Sequence, residues 1–399
     1  MNVALKPLIG VDSDRVQLSA LPPLSLYIHV PWCVRKCPYC DFNSHELRQT
    51  LPEREYVAAL IADLEHALPQ VWGRSVYSVF FGGGTPSLLS AAAVEDILSA
   101  VRARLRLVAD AEITLEANPG TVEAQKFLGF RSAGVNRLSV GVQSLNPRYL
   151  KAIGRIHNEV EARRAIEIAR CTFDRVNLDL MYALPEQSLD HATADMDAAI
   201  AYRPTHISAY HLTLEPNTLF HRYPPPLPDD DLSSAMQDAI EDRLVAAGYE
   251  NYEVSAFAQP GQRCTHNLNY WHFGDYLGIG AGAHSKLSFA DRIVRALCYK
   301  QPQQYMHEAL AGTPTQEAHE VSARDLPFEF MLNALRLNEG FPLQLFQERT
   351  GLPRVTILAT LDRVEREGLI ERDHIRVRTS ARGRRFLNDL LQRFLPDPA

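Results

Sequence analysis

The chain has 399 residues, 46% of them hydrophobic and 22% charged, and a net charge of −7. That size and mix support two or three domains around a sizeable core, while the negative balance argues against a non-specific nucleic-acid binder. No stretch of about 18 apolar residues reads as a transmembrane helix, and the opening "MNVALKPLIGVDSDRVQ" lacks a signal peptide's apolar run.

Residues 1–23 read as an N-terminal tail. From 24 to 250, short β-rich runs alternate with stretches of helical periodicity. The runs are "LSLYIHVP" (24–31), "SVYSVFFGG" (75–83), "EITLEANP" (112–119), "RLSVGVQS" (137–144), "RVNLDLMYALP" (175–185) and "HISAYHLTLEP" (206–216). Between them, "EREYVAALIADLEHAL", "AAAVEDILSAVRARL", "VEAQKFLGFRSAG" and "EVEARRAIEIARC" place apolar residues at helical spacing. Such alternation predicts a parallel sheet with helices outside it. Six right-handed units suggest a barrel or partial barrel. At "PPPLPDDD" (224–231) the rhythm stops and an amphipathic helix opens.

Residues 251–320 form an extension carrying "HNLNYW" (266–271) and the Gly-rich "GDYLGIGAGAHS" (274–285). It ends at 300–320 in a polar, weakly patterned stretch that reads as a linker. Residues 321–399 read as a separate winged-helix-like domain: three helices, a hairpin "LIERDHIRVRTS" and a closing helix "ARGRRFLNDLLQRFL". From 352 onward ten Arg are matched by seven acidic residues, so no clean phosphate-binding face emerges and a packing or partner module is expected.

Of six cysteines, Cys33, Cys37 and Cys40 crowd one segment, while Cys171, Cys264 and Cys298 lie far apart. That usage fits reduced cytosolic thiols with one metal site. In α/β barrels the active site lies at the C-terminal strand ends. Here those ends carry the three cysteines, then Gly82, Gly83, Gly84, Thr85 and Pro86, then Glu116 and Asn118, Gln143 and Ser144, Asp179, and Thr213 and Glu215. Polar groups within apolar strands cost burial energy unless they bind something. Glu116, Gln143 and Asp179 therefore read as ligand-binding, whereas Asn118 and Ser144 serve equally well as helix caps. The glycines let backbone approach a ligand closely or simply make a tight turn.

Three thiolates would leave one iron of a [4Fe–4S] cube open for a substrate or cofactor. The alternative is a structural zinc site completed by His29 or His45. The C-x3-C-x2-C spacing, followed two positions on by Phe42, resembles the radical SAM superfamily. That resemblance implies a partial (β/α)6 TIM-like barrel, a [4Fe–4S] cluster, and S-adenosylmethionine chelated to the unique iron and cleaved to a 5'-deoxyadenosyl radical.

Further motifs, "LYIHVPWCVRKCPYCDF", "FFGGGTPS", "EANPG", "RLSVGVQS", "GRIHN" and "NLDLMYALPEQ", resemble the family of oxygen-independent coproporphyrinogen III oxidase (HemN) and the HemW heme chaperones. By this resemblance Cys33, Cys37 and Cys40 hold the cluster and Tyr27 contacts the cofactor. Tyr39 lies over its adenine, and Gly83, Gly84 and Thr85 line its amino group. Glu116, Gln143, Arg155 and Asp179 surround its ribose and carboxylate. An arginine can grip a carboxylate as a bidentate fork; the alternative for Arg155 is an exposed position at a helix start. No catalytic residue is assigned.

The oxidase carries a further cysteine where this chain has Phe42, and "HNLNYW" matches the H-N-x-x-Y-W motif of HemW proteins. The resemblance thus implies heme as partner, delivered to a heme-requiring respiratory client, with coproporphyrinogen oxidase activity absent and the oxidase itself as the alternative. It implies the cytoplasm, with membrane contact only through the client, and a homodimer is an option. His266 is the candidate heme ligand, because a neutral imidazole suits heme iron and Tyr270 and Trp271 offer flat apolar surface. Cys264, His284, His206 and His211 remain open alternatives, as does a structural role for His266. A third class, a zinc-bearing scaffold with a winged-helix partner module, also stands.

Overall fold

The computed structural model describes residues 15–121 and 124–396. Most of the tail at 1–23, the first two residues of the helical run at 122–134 and the last three residues fall outside that range.

Each β-rich run is a strand: β1 Leu24–Val30, β2 Ser75–Gly83, β3 Arg106–Ala117, β4 Arg137–Gln143, β5 Arg175–Tyr182 and β6 His206–His211. They pair in chain order, all parallel. The crossovers run through α1 Glu53–Val71, α2 Ala91–Arg104, α3 Ala124–Ala133, α4 Glu159–Thr172 and α5 Leu189–Ala201, and α6 Asp230–Ala246 follows β6. Local chemistry sets the helix starts. Ser90, Ser188 and Asp229 cap α2, α5 and α6, and Asn158 with Glu161 forms a capping box on α4.

Alternation along the strands divides the faces. Leu26, Ile28, Val79, Phe81, Leu115, Val140, Leu178 and Ile207 point outward and are buried under the helices. Each such side chain contributes roughly 1.5–3 kcal/mol. The opposite face carries Tyr27, His29, Glu116, Ser139, Asp179 and Ser208, which line cavities. The barrel is therefore polar inside, and six strands contribute to one concave surface.

Beyond β6 come β7 Glu250–Glu253, β8 Ala256–Ala258, β9 Asp275–Ile279, β10 His284–Ser288, β11 Ile293–Cys298 and β12 Thr315–Glu320. The full order is β12-β11-β10-β9-β1-β2-β3-β4-β5-β6-β8-β7. Only β9 joins the parallel set, beside β1. Because β6 pairs with β8 and β9 with β10, the parallel strands never close, and the barrel is partial as expected.

The stretch 300–320 is no linker. A helix, Pro302–Leu310, packs Tyr305 fully into the core beside α1, and β12 adds an antiparallel edge to β11. Between β8 and β9 lies α7, Thr265–Trp271, which holds the H-N-x-x-Y-W run. Its start is pinned by Glu112, midway along β3, which accepts the backbone N–H groups of Thr265 and His266. The motif thereby seats itself beneath the barrel, at the opposite end from the cysteines.

The C-terminal domain has the expected helices, Leu326–Ala334, Leu343–Thr350 and Val355–Arg366, and a hairpin, Ile370–Arg372 with Arg376–Thr379, joined by Phe341–Pro342 into a three-stranded sheet. The closing helix differs from expectation. It breaks at Phe386 into Ala381–Arg385 and Leu387–Gln392. Gly383 presses on the Leu369 carbonyl, leaving no room for a Cβ, while Leu390 and Leu391 must turn into the core. One continuous helix would not satisfy both. Among the described residues no helix is long and apolar enough to cross a membrane.

Candidate functional site

The loop after β1 brings Cys33, Cys37 and Cys40 onto one pocket of about 350 Å³. Short strands Trp32–Cys33 and His45–Glu46 pair parallel and hold the loop closed. Among the described residues no three His, Cys, Asp or Glu side chains converge on a single-ion site. The proposed fourth zinc ligands are also engaged. His29 donates from Nε2 to the Asn43 carbonyl at 2.8 Å and accepts from the Tyr27 hydroxyl at 3.0 Å, and His45 Nε2 lies 3.2 Å from the Lys300 carbonyl oxygen. Three thiols around a wider void suit a cluster better than one ion.

The same pocket is lined by Tyr39, Phe42, Gly83, Gly84, Thr85, Glu116, Gln143, Arg155 and Asp179. Arg155 is turned inward rather than exposed. It donates to the Gly141 carbonyl at 2.7 Å and to Cys37 Sγ at 3.6 Å, while its buried Nε has no hydrogen-bond partner among the described residues. Thr85 donates to Cys33 Sγ at 3.5 Å. Gln143 sits at φ 67°, a left-handed backbone that costs a non-glycine residue energy and recurs at functional sites. Burial first, and then the charge of Asp179, push the Glu116 carboxyl up to about 8. Burial also raises Asp179, although Ser139 and Asn177 both donate to it at 2.8 Å.

Several expected positions also carry structural constraints, and two lie elsewhere. The glycines are demanded by the chain itself: Gly83 has φ 109°, its Cβ would overlap the His29 ring, and a Cβ on Gly84 would lie 2.6 Å from the Trp32 carbonyl. Ser144 is fully buried and donates to Asp195, so it is neither a cap nor a pocket residue. Asn118 lines the cysteine pocket, with Oδ1 3.2 Å from His157 Nδ1. Tyr27 is absent from the cysteine pocket and faces a second, larger cavity.

That second cavity, about 890 Å³, fills the barrel beside the first. Cys40, Phe42, Gly83, Glu116 and Asp179 line both. Its far walls are Phe80, Tyr270, Trp271 and Tyr276, and its cations include Lys36, Arg137, Lys300 and Arg336. Four of its lining residues, His266, Tyr270, Trp271 and His284, were offered by the sequence as heme contacts; that they share one cavity with the inward polar residues of β4 to β6 is a tertiary property no single run records.

The five heme-ligand candidates separate sharply. Cys264 is buried against Glu112 and lines neither cavity. His206 is buried between Asn177 and Tyr252, with ring contacts of 2.6 and 2.8 Å. His266 borders the large cavity, but both ring nitrogens are taken. Ser78 gives its proton to Ser25, so His266 Nδ1 donates to Ser78 at 2.9 Å and Nε2 accepts from Tyr270 at 3.1 Å. Burial drives this imidazole down to about 3, so it is neutral. His211 is exposed and lines the cysteine pocket. His284 is exposed on the large cavity, and burial together with Lys300 and Arg295 lowers its pKa.

Residues 27–199 match the radical SAM superfamily and residues 321–386 the HemN C-terminal domain. The chain is 50% identical to heme chaperone HemW of Escherichia coli (strain K12) over 379 residues, which is 94% of this chain and 99% of that protein. It is 45% identical to heme chaperone HemW of Haemophilus influenzae, over 94% of this chain and 99% of that one. The mitochondrial radical S-adenosyl methionine domain-containing protein 1 of Mus musculus is 35% identical over 95% of this chain and 88% of its own. Among solved structures, coproporphyrinogen III oxidase (HemN) from Escherichia coli superposes with a TM-score of 0.79 at 24% identity, covering 94% of this chain and 90% of that one, a likeness of fold.

Proposed function

The chain belongs to the HemW family of the radical SAM superfamily, and from that premise we propose that it is a heme chaperone. In this reading the cysteine pocket takes a [4Fe–4S] cluster with S-adenosylmethionine, and the adjoining cavity takes heme for transfer to a heme-requiring respiratory client. The observation that carries it is the juxtaposition of two cavities. One is ringed by three thiols and a half-buried arginine whose buried Nε is a donor to spare, the other is walled by aromatic rings, and they share Cys40, Phe42, Gly83, Glu116 and Asp179.

The residues present fit the implied groups. Cys33, Cys37 and Cys40 would ligate three irons. A cluster there would supply an open coordination position and an electron for reductive cleavage of the sulfonium. The unpartnered Arg155 Nε is available to a carboxylate. Glu116 and Asp179 can accept hydroxyl protons from a ribose, and Tyr39, its ring 6.4 Å from that of Phe220, offers a flat face to a base. Phe220 also donates its backbone N–H to the Pro38 carbonyl at 3.0 Å, which ties the segment after β6 onto the cluster loop and keeps Tyr39 in place. The polar barrel interior favours a ligand with carboxylate groups. The domain at 321–399 would serve as the docking module for the client.

Anaerobic reconstitution followed by iron and sulfide analysis tests the cluster. A hemin titration, then transfer to an apo-respiratory heme protein read by difference spectroscopy, tests the chaperone role. No heme uptake, or vinyl formation from coproporphyrinogen III in an anaerobic assay, would displace this reading in favour of the oxidase.

A further inference from the structure

Resting on the heme reading above, we propose that His284, not His266, supplies the axial ligand to heme iron, and that Trp271 and Arg336 hold one of the heme carboxylates. A metal-ligating imidazole needs an open lone pair that faces the ligand's space. His266 offers none, because Tyr270 occupies Nε2 and Ser78 occupies Nδ1 within a buried hydrogen-bond chain that continues to Ser25 and Asn269. Freeing Nε2 would leave the Tyr270 hydroxyl unsatisfied, a cost of roughly 1–3 kcal/mol in a buried site. The H-N-x-x-Y-W histidine is thus a fastener that seats α7 on the floor of the barrel.

Among the described residues His284 makes no hydrogen bond through either ring nitrogen. It stands at the first position of β10. Tyr276 of β9 pairs with Lys286, so His284, two residues earlier, shares that face of the strand. Tyr276 in turn packs edge-on against Tyr270 with centroids 4.6 Å apart, forming an aromatic wall of the cavity. His29 and His45 also border the cavity, but His29 is bonded at both nitrogens and His45 is held through Nε2.

A second, independent observation points to a carboxylate on the ligand. Two buried donors of this cavity have no partner among the described residues: Trp271 Nε1 and Arg336 Nε. The Arg336 guanidinium lies over the Trp271 ring at 4.3 Å. Arg336 comes from the C-terminal domain and is already held by Glu253 through Nη2 at 3.1 Å, so its remaining N–H is fixed in direction. Unsatisfied buried donors of this kind mark a missing acceptor, and a porphyrin propionate is an acceptor of the right charge. The cavity volume, about 890 Å³, lies within the range of roughly 300–1,000 Å³ usual for small-molecule sites.

The test is a hemin titration of the full, cluster-reconstituted chain, read by Soret absorption and resonance Raman or EPR. H284A should lose the imidazole-ligated spectrum, and added imidazole should restore it. H266N, H45A and H211A should keep that spectrum. W271F and R336Q should weaken uptake while leaving the coordination signature unchanged. A wild-type spectrum from H284A, or its loss in H266N, H45A or H211A with the chain still folded by circular dichroism, overturns the assignment while leaving the heme reading intact. Wild-type chain that takes up no heme overturns the reading itself. Unaltered uptake by both W271F and R336Q removes the carboxylate clamp.

Discussion

Glu116 of β3 and Asp179 of β5 present two half-buried carboxyl groups to the same pair of cavities, and the charge of Asp179 adds to desolvation in lifting Glu116 to about 8. An unfolded glutamate titrates near 4.5. Between those values the folded chain holds a proton that the unfolded chain releases. Stability from this group is fully present below about 4.5 and is lost as pH rises through about 8. For the ligand-free chain, E116Q should flatten that decline. It should also raise stability at pH 8 by at least ~1.4 kcal/mol, the free energy of a tenfold change in proton affinity. Denaturant melts of both proteins from pH 5 to 8.5 measure it, and parallel curves would remove Glu116 as the source.

Replacing any one of Cys33, Cys37 or Cys40 by Ala should abolish the brown chromophore and reduce bound iron to background. All three thiols line one pocket, and among the described residues no other cluster of three or more His, Cys, Asp or Glu side chains offers an alternative metal site. C171A serves as control, since Cys171 is exposed and lies elsewhere. Iron and sulfide analysis after anaerobic reconstitution reads the result. Full iron content in two of the three variants would mean that the loop does not hold the cluster.

Arg155 gives a way to separate cofactor from cluster. Its guanidinium already bonds Gly141 and Cys37, and Nε is the group left over. R155Q should retain iron yet bind S-adenosylmethionine more weakly by about 1.5–3 kcal/mol, the value of a hydrogen bond to a charged group. The change that S-adenosylmethionine produces in the EPR spectrum of the reduced cluster is the readout. An undiminished change at the same concentration would take Arg155 out of the cofactor site.

The parts of this molecule that follow a period can be read from the sequence. The six parallel strands show buried apolar residues at every second position. Glu116 and Asp179 stand out because charge inside such a run is costly. Tyr27 obeys the same alternation, but depth along the barrel decides which cavity a side chain meets, and one strand's pattern does not record depth. The candidacy of His284 over His266 rests on which ring nitrogens are already bonded, a tertiary property. The stretch 300–320 is illegible for a different reason. Every residue of β12 is exposed, so "TQEAHE" shows neither a strand nor a helix period, and the helix before it anchors through few buried residues.

Tyr305 is the chief of those anchors. It is fully buried against Tyr56 and donates to Asp63 Oδ2 at 2.7 Å. Asp63 also accepts the Gly280 N–H at 3.1 Å, and burial pushes its carboxyl up to about 6. Y305A should therefore cost about 3–5 kcal/mol, as other large buried aromatics do, and Y305F about 1–3 kcal/mol, the cost of leaving a buried acceptor short of a donor. The Tyr305 hydroxyl favours ionised Asp63, so its removal raises the folded carboxyl further above its unfolded value of 3.8 and widens the range over which stability falls with pH. The Y305F penalty should be larger at pH 8, where Asp63 must ionise, than at pH 5, where it keeps its proton. Urea melts at the two pH values decide this: equal penalties would mean that the hydroxyl does not stabilise a charged Asp63, and ready proteolysis within 300–320 of the native chain would mean that the helix is not docked.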